Sequence, residues 1–162
     1  MKERMSERIF KFEDVIFDTG PLLLYLIGSY DINALRLFNY NGKDFYLLFE
    51  FLKNFKRIFI TPQVLAEASN LAKSRLKEER FSGFISSSTA PLMSLGEEYV
   101  EKNEILKRKE LPKFGITDAS LIGVAERNKL LLTDDGPLFW YCNGKNVPVI
   151  HLERLGCLIY ET

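Results

Sequence analysis

The sequence has little with which to cross-link, bind soft metals or cross a membrane. Only two of its 162 residues are cysteine. Cys142 and Cys157 lack the paired spacing of a zinc site and are too few for a disulfide scaffold, so both are expected to be reduced structural thiols. With a single histidine, His151, no serine–histidine or cysteine–histidine triad suggests itself, and no glycine-rich phosphate loop occurs. No apolar run reaches the roughly 18 residues of a membrane span. The best attempt, Val15 to Ile27, is broken by Asp18, Gly20 and Pro21. Met1 to Phe12 alternates charges and lacks the apolar stretch of a signal peptide, so the chain is expected to be cytoplasmic. Net charge is missing too, because 22 basic residues balance 22 acidic ones. That excludes a nucleic-acid binder working by bulk positive charge, and any such contact must use a local patch.

What the chain does have is core-forming material. Hydrophobic residues make up 46% and aromatics 13%, enough for a bulky core in one domain spanning 1–162. Val15-Ile16-Phe17 is a short β-prone run ended by Asp18-Thr19-Gly20-Pro21, and Pro21 can open a helix through Leu22–Ile27. Two helical stretches, Asp31–Asn39 and Asp44–Phe55, suggest a hairpin on the edge of the core. Arg57–Ile60 reads as a second strand, and Thr61-Pro62 caps a helix running from Gln63 to about Arg80. Phe81–Pro91 is rich in Ser and Gly and is expected to be a loop. Glu97–Glu110 reads as a charged helix, and Asp118 to about Asn128 as another, introduced by Gly115 and Thr117. Leu130–Thr133 is a continuous apolar strand of the kind buried in parallel sheets, a short helix follows from Leu138 to Asn143, and Val147–Leu152 is the last strand. This alternation predicts an α/β fold, three layers with a central parallel sheet of four or five strands.

Four acids stand in costly places. Asp18 and Asp135 directly follow apolar strands, where open α/β sheets collect ligands. Glu67 lies between Val64 and Leu71 on a helical stripe, and Asp118 precedes Leu121, Ile122 and Ala125 at helical spacing, so both are expected to face the sheet. No Lys, Arg or His occupies a matching inward position. A buried carboxylate needs a cation, hydrogen bonds or a proton. With side-chain cations scarce, a bound metal is the economical compensation, and carboxylates without Cys or His favour hard ions, Mg²⁺ or Mn²⁺. Taken singly, each acid also has an ordinary role, shaping a turn before glycine or stabilising a helix start.

The ordered set of motifs resembles the PIN-domain ribonuclease family, which includes the toxins of toxin–antitoxin pairs. Val15-Ile16-Phe17-Asp18-Thr19-Gly20-Pro21-Leu22-Leu23 is similar to the family's opening strand and acid. Thr61-Pro62-Gln63-Val64-Leu65-Ala66-Glu67 is similar to the second motif, and Gly115 to Ala125, holding Asp118, to the third. Leu131-Leu132-Thr133-Asp134-Asp135 resembles the last. The resemblance implies that Asp18, Glu67, Asp118 and Asp135 hold one or two Mg²⁺ or Mn²⁺ ions, with Thr133 an auxiliary neighbour and Asp134 a rival for the fourth place. It implies a PIN-like fold with helical insertions near 31–55 and 81–110. The implied activity is metal-dependent hydrolysis of RNA phosphodiester bonds, with tRNA among the family's targets, a cognate antitoxin as a partner and pairing into a homodimer. Two departures stand out. Gly136-Pro137-Leu138-Phe139 lacks the further acid that many members carry there, and the chain is longer than a typical toxin.

Bases must flank such a site. Lys73, Arg75, Lys77 and Arg80 follow Glu67, and Lys107, Arg108, Lys109 and Lys113 precede Asp118, so both groups are candidates for guiding RNA. Solvated helix faces with pairs such as Glu104–Arg108 are the plain alternative. The Phe45–Phe59 segment is either a dimer surface or core. Two other functions remain open on sequence: a PIN-like scaffold that binds RNA or protein without cutting, and a structure-specific DNA nuclease.

Overall fold

In the computed structural model, residues 2–160 are described. After a short helix α1 (Met5–Phe10), strand β1 (Asp14–Phe17) runs buried at every position. Helix α2 (Thr19–Tyr30) follows at once, then a 3-10 turn (Ile32–Phe38), α3 (Gly42–Leu52), β2 (Arg57–Ile60) and α4 (Pro62–Arg75). Next come α5 (Glu78–Ser94), β3 (Gly96–Glu97), α6 (Lys102–Leu106) and α7 (Leu111–Ala125). The chain then forms β4 (Leu130–Thr133), α8 (Gly136–Gly144), β5 (Val149–His151) and, past a 3-10 turn, α9 (Leu155–Tyr160).

All five strands pair in parallel in the order β3-β2-β1-β4-β5, flanked by helices in the expected three-layer arrangement. The two central strands explain the sheet's position. Val15, Ile16, Phe17 and Leu130 to Leu132 are fully buried, which is why these runs are continuously apolar rather than alternating. The chain leaves β1 for β2 on one side, and β4 joins β1 on the other. The strand order therefore reverses between β1 and β4, and a crevice opens over their carboxyl ends. Register then aligns the residues there. Phe17 pairs with Leu132, and the Asp18 amide continues the ladder to the Leu132 carbonyl at 3.0 Å. Thr133 pairs with His151 on the far side.

Local caps set where the helices start. Thr61 Oγ1 accepts from the Val64 amide at 3.2 Å, with Pro62 in the first turn of α4. Asn41 and Asp44 form a reciprocal capping box at the start of α3. Asp135 caps α8 through the Leu138 amide at 3.0 Å.

Several expected boundaries move. The helix read as Gln63–Arg80 breaks at the buried, extended Leu76, and the Phe81–Pro91 loop is instead the middle of α5. Phe84 and Ser88, four residues apart, are buried, so packing against α2 and α4 overrides the weak helix propensity of Ser and Gly. The charged helix read at Glu97–Glu110 is a two-residue edge strand, an extended stretch and the five residues of α6. Helix α7 begins seven residues before Asp118 and is kinked at Gly115 (φ 84°). The 3-10 turn and α3 each pack mainly on α2 rather than as a hairpin on one another. Among the described residues, no helix is long and apolar enough to cross a membrane. Both cysteines are free. Cys142 is buried, and burial pushes its thiol up to about 12, where it is inert.

Candidate metal centre

The crevice is a cleft of about 900 Å³, and all four sequence-selected acids, Asp18, Glu67, Asp118 and Asp135, line it together with Asp134. They come from four separate segments of the chain.

Asp18 is the innermost, 7% exposed at the end of β1. Its carboxylate accepts from the Thr19 amide at 2.7 Å and from Thr133 Oγ1 at 2.7 Å. The same Thr133 oxygen accepts from the Asp135 amide at 3.0 Å, so one hydroxyl links the acids of β1 and β4. Burial pushes Asp18 up to about 6. The two hydrogen bonds oppose that rise, and the charges of Asp134 and Asp135 add to it.

Asp118 is half-buried on α7. Desolvation, followed by the charges of Asp18, Asp135 and Glu67, lifts it to about 7. Glu67 does not face the sheet as its spacing suggested. The buried row of α4 is Val64, Ala68 and Ala72, which leaves Glu67 one step off that stripe and exposed at the cleft. Its two oxygens accept from Thr117 Oγ1 at 2.6 Å and Thr19 Oγ1 at 3.0 Å, tying α4 to both α7 and α2.

Asp134 and Asp135 diverge. Asp135 caps α8 and its charge is felt by both Asp18 and Asp118. Asp134 is exposed, accepts from the Tyr40 hydroxyl and packs so tightly over Gly20 that a Cβ there would collide with it. Tyr40 was invisible to sequence reasoning because it follows a 3-10 turn 94 residues before its partner.

The oxygens of these acids are largely turned to protein donors. Among the described residues, no three His, Cys, Asp or Glu side chains are set closely enough to form a ready-made metal cage. The donor set is nonetheless all hard oxygen and short of positive charge. That suits Mg²⁺, which keeps several waters and needs only one or two carboxylates.

Of the basic residues singled out in the sequence, only Arg75 lines the cleft among the described residues, which corrects the expectation that no cation faces inward. Lys73 and Lys77 are exposed away from it. Lys113 lies over the rings of Phe114 and Tyr141. Arg108 is committed to Glu126 at 2.8 Å and Glu110 at 3.3 Å, and with Lys109 it lines a different hollow, so these two do not flank the acids. His151 reaches the cleft rim, where its Nδ1 accepts from the Glu153 amide at 3.1 Å. In the Phe45–Phe59 segment, Leu48 and Phe51 are core, while Tyr46 and Phe49 are about half exposed.

Comparison with models of known protein families and with curated proteins finds no match to this chain.

Proposed function

We propose that the chain is a metal-dependent endoribonuclease of PIN-like type, with RNA as substrate. The observation that carries this reading is the meeting of four acids from four segments over the switch point of a parallel sheet, in a cleft with one guanidinium to offset them. Asp18 is buried and Asp118 half-buried among these acids, and holding such like charge away from water is costly unless something positive binds there.

Asp18, Asp118 and Asp135 are the residues to hold Mg²⁺ or Mn²⁺, with Glu67 beside them, directly or through water. The coupling of Asp135 to both Asp18 and Asp118 favours it over Asp134 as the fourth acid. When bound, the ion supplies charge neutralisation at the phosphodiester and activation of a water for in-line attack. The protein's own part is to aim. Thr133 fixes the Asp18 carboxylate through a directed hydroxyl, because its proton points to Asp18 while its lone pair takes the Asp135 amide. Thr19 and Thr117 grip Glu67 from opposite helices, so the cleft walls keep their separation. A cytoplasmic toxin paired with an antitoxin is the finer form of the proposal.

The lack of three acids already gathered as a cage favours a second reading, a PIN-like scaffold that binds RNA or protein and cuts nothing. One experiment separates the two. Purified protein is incubated with total RNA, tRNA and a DNA control, with Mg²⁺ or Mn²⁺ or with EDTA, alongside Asp18→Asn. Metal-dependent cutting of RNA, lost in the variant, is the expected result. Intact RNA in every arm from folded protein establishes the scaffold, and cutting of DNA alone moves the substrate.

A further inference from the structure

One wall of the cleft is graded in chemistry. Glu67, Leu71 and Arg75 stand four residues apart on α4 and all line the cleft, so acid, apolar side chain and guanidinium follow one another along about 12 Å of helix. Arg75 is held in place from outside the helix. Its Nη1 donates to the Leu37 carbonyl at 3.3 Å and its guanidinium lies 5.4 Å over the Phe38 ring. Among the described residues no carboxylate lies within 4 Å of it. A preorganised guanidinium with unspent donors, facing a cleft, is a phosphate site in waiting.

We infer that Arg75 binds a phosphate flanking the one that is cut, with the substrate's backbone laid along α4. This rests on the nuclease reading above and adds to it a residue that positions the substrate. The acids at Glu67's end mark the scissile position. Arg75 then lies too far along the helix to reach the same phosphate, and Leu71, between them, offers an apolar surface to the intervening sugar or base.

The test reads binding rather than cutting. Fluorescence anisotropy is measured with a labelled single-stranded RNA, in the Asp18→Asn background with Mg²⁺ and with wild type in EDTA, across a salt series. Arg75→Ala is expected to weaken single-strand binding about tenfold and to reduce the slope of log affinity against log salt by about 0.7, one phosphate's worth for a single strand. Arg75→Lys is expected to keep the slope and lose part of the affinity, because the charge stays while the planar fork is gone. Lys73→Ala, on the same helix but outside the cleft, is expected to change neither. Equal losses in the Arg75 and Lys73 variants, or an unchanged slope in Arg75→Ala, overturns the subsite. Wild type that cuts RNA while Arg75→Ala binds like its parent refutes only this inference. A chain that binds no strand in any arm refutes the nuclease reading with it.

Discussion

At the scale of single residues, the acids are held by hydroxyls, and this makes their contributions separable. Thr133 is fully buried and is both donor to Asp18 and acceptor from the Asp135 amide. Replacing it with valine keeps the shape but leaves a buried carboxylate oxygen and a backbone amide without partners. Thr133→Val is expected to cost about 1–3 kcal/mol in urea unfolding, and Thr133→Ser, which keeps the hydroxyl, a smaller loss. Asp18→Asn should act in the other sense. In EDTA at pH 8 the native protein must carry Asp18 ionised against a preference that lies at about 6 instead of 3.8. Each pH unit of that rise is about 1.4 kcal/mol, so neutralising the side chain is expected to stabilise the metal-free protein by up to about 3 kcal/mol. The same variant should abolish cutting. A Tm that falls in Asp18→Asn under EDTA would mean that the carboxylate is fully compensated by its two donors.

At the scale of elements, sequence signals located the strands better than the helices. Val15–Phe17 and Leu130–Thr133 were legible because a strand covered on both faces must be apolar throughout. The Thr61-Pro62 cap of α4 was legible because its chemistry is local. Helix α5 was not, since Ser- and Gly-rich segments become helical only when something such as the Phe84 contact with Tyr30 rewards them. Gly115 carries the clearest element-level prediction. Its φ of 84° and ψ of −178° belong to a region open almost only to glycine, and it sets the direction of the segment that brings Thr117 to Glu67. Nothing crowds a Cβ there, so the cost of Gly115→Ala is backbone strain alone. It is expected to be about 1–3 kcal/mol, measured by thermal unfolding, and a wild-type Tm would show that the kink is not needed.

At the scale of the whole molecule, the gathered acids couple folding to pH and to divalent ions. The native pKa values of Asp18 and Asp118 lie above their unfolded value, so the folded protein holds more protons than the unfolded one between about pH 4 and pH 7. The slope of unfolding free energy with pH is then negative for these two groups. Their contribution is fully favourable below pH 4 and is lost as pH rises through about 6 and 7. In EDTA, stability is therefore expected to fall across that window and to level off above it, and Mg²⁺ is expected to restore it most at the high-pH end. Urea midpoints taken from pH 5 to 8 with and without Mg²⁺ measure this. Identical curves in EDTA and Mg²⁺ would remove the ion from the site.

The sequence by itself determined which segments are strands at the centre and that Asp18 sits where solvation is poor, because burial on both faces and the cost of an unpaired charge are written in local composition; it misjudged Glu67, which is exposed. It also placed Asp18 and Asp135 at strand ends, since a strand's last apolar residue marks its carboxyl end. Tertiary structure alone decided what meets across the cleft. The β1–β4 register set Asp18 abreast of Thr133, the Gly115 kink delivered Thr117 to Glu67, and the turn after Phe38 carried Tyr40 to Asp134. Arg75 and Arg108 are alike as charges in a sequence. They part only when neighbours are known, because Glu110 and Glu126 neutralise one, while Leu37 and Phe38 orient the other and leave its charge unspent. Contacts between residues far apart in the chain depend on topology, and no local pattern encodes them.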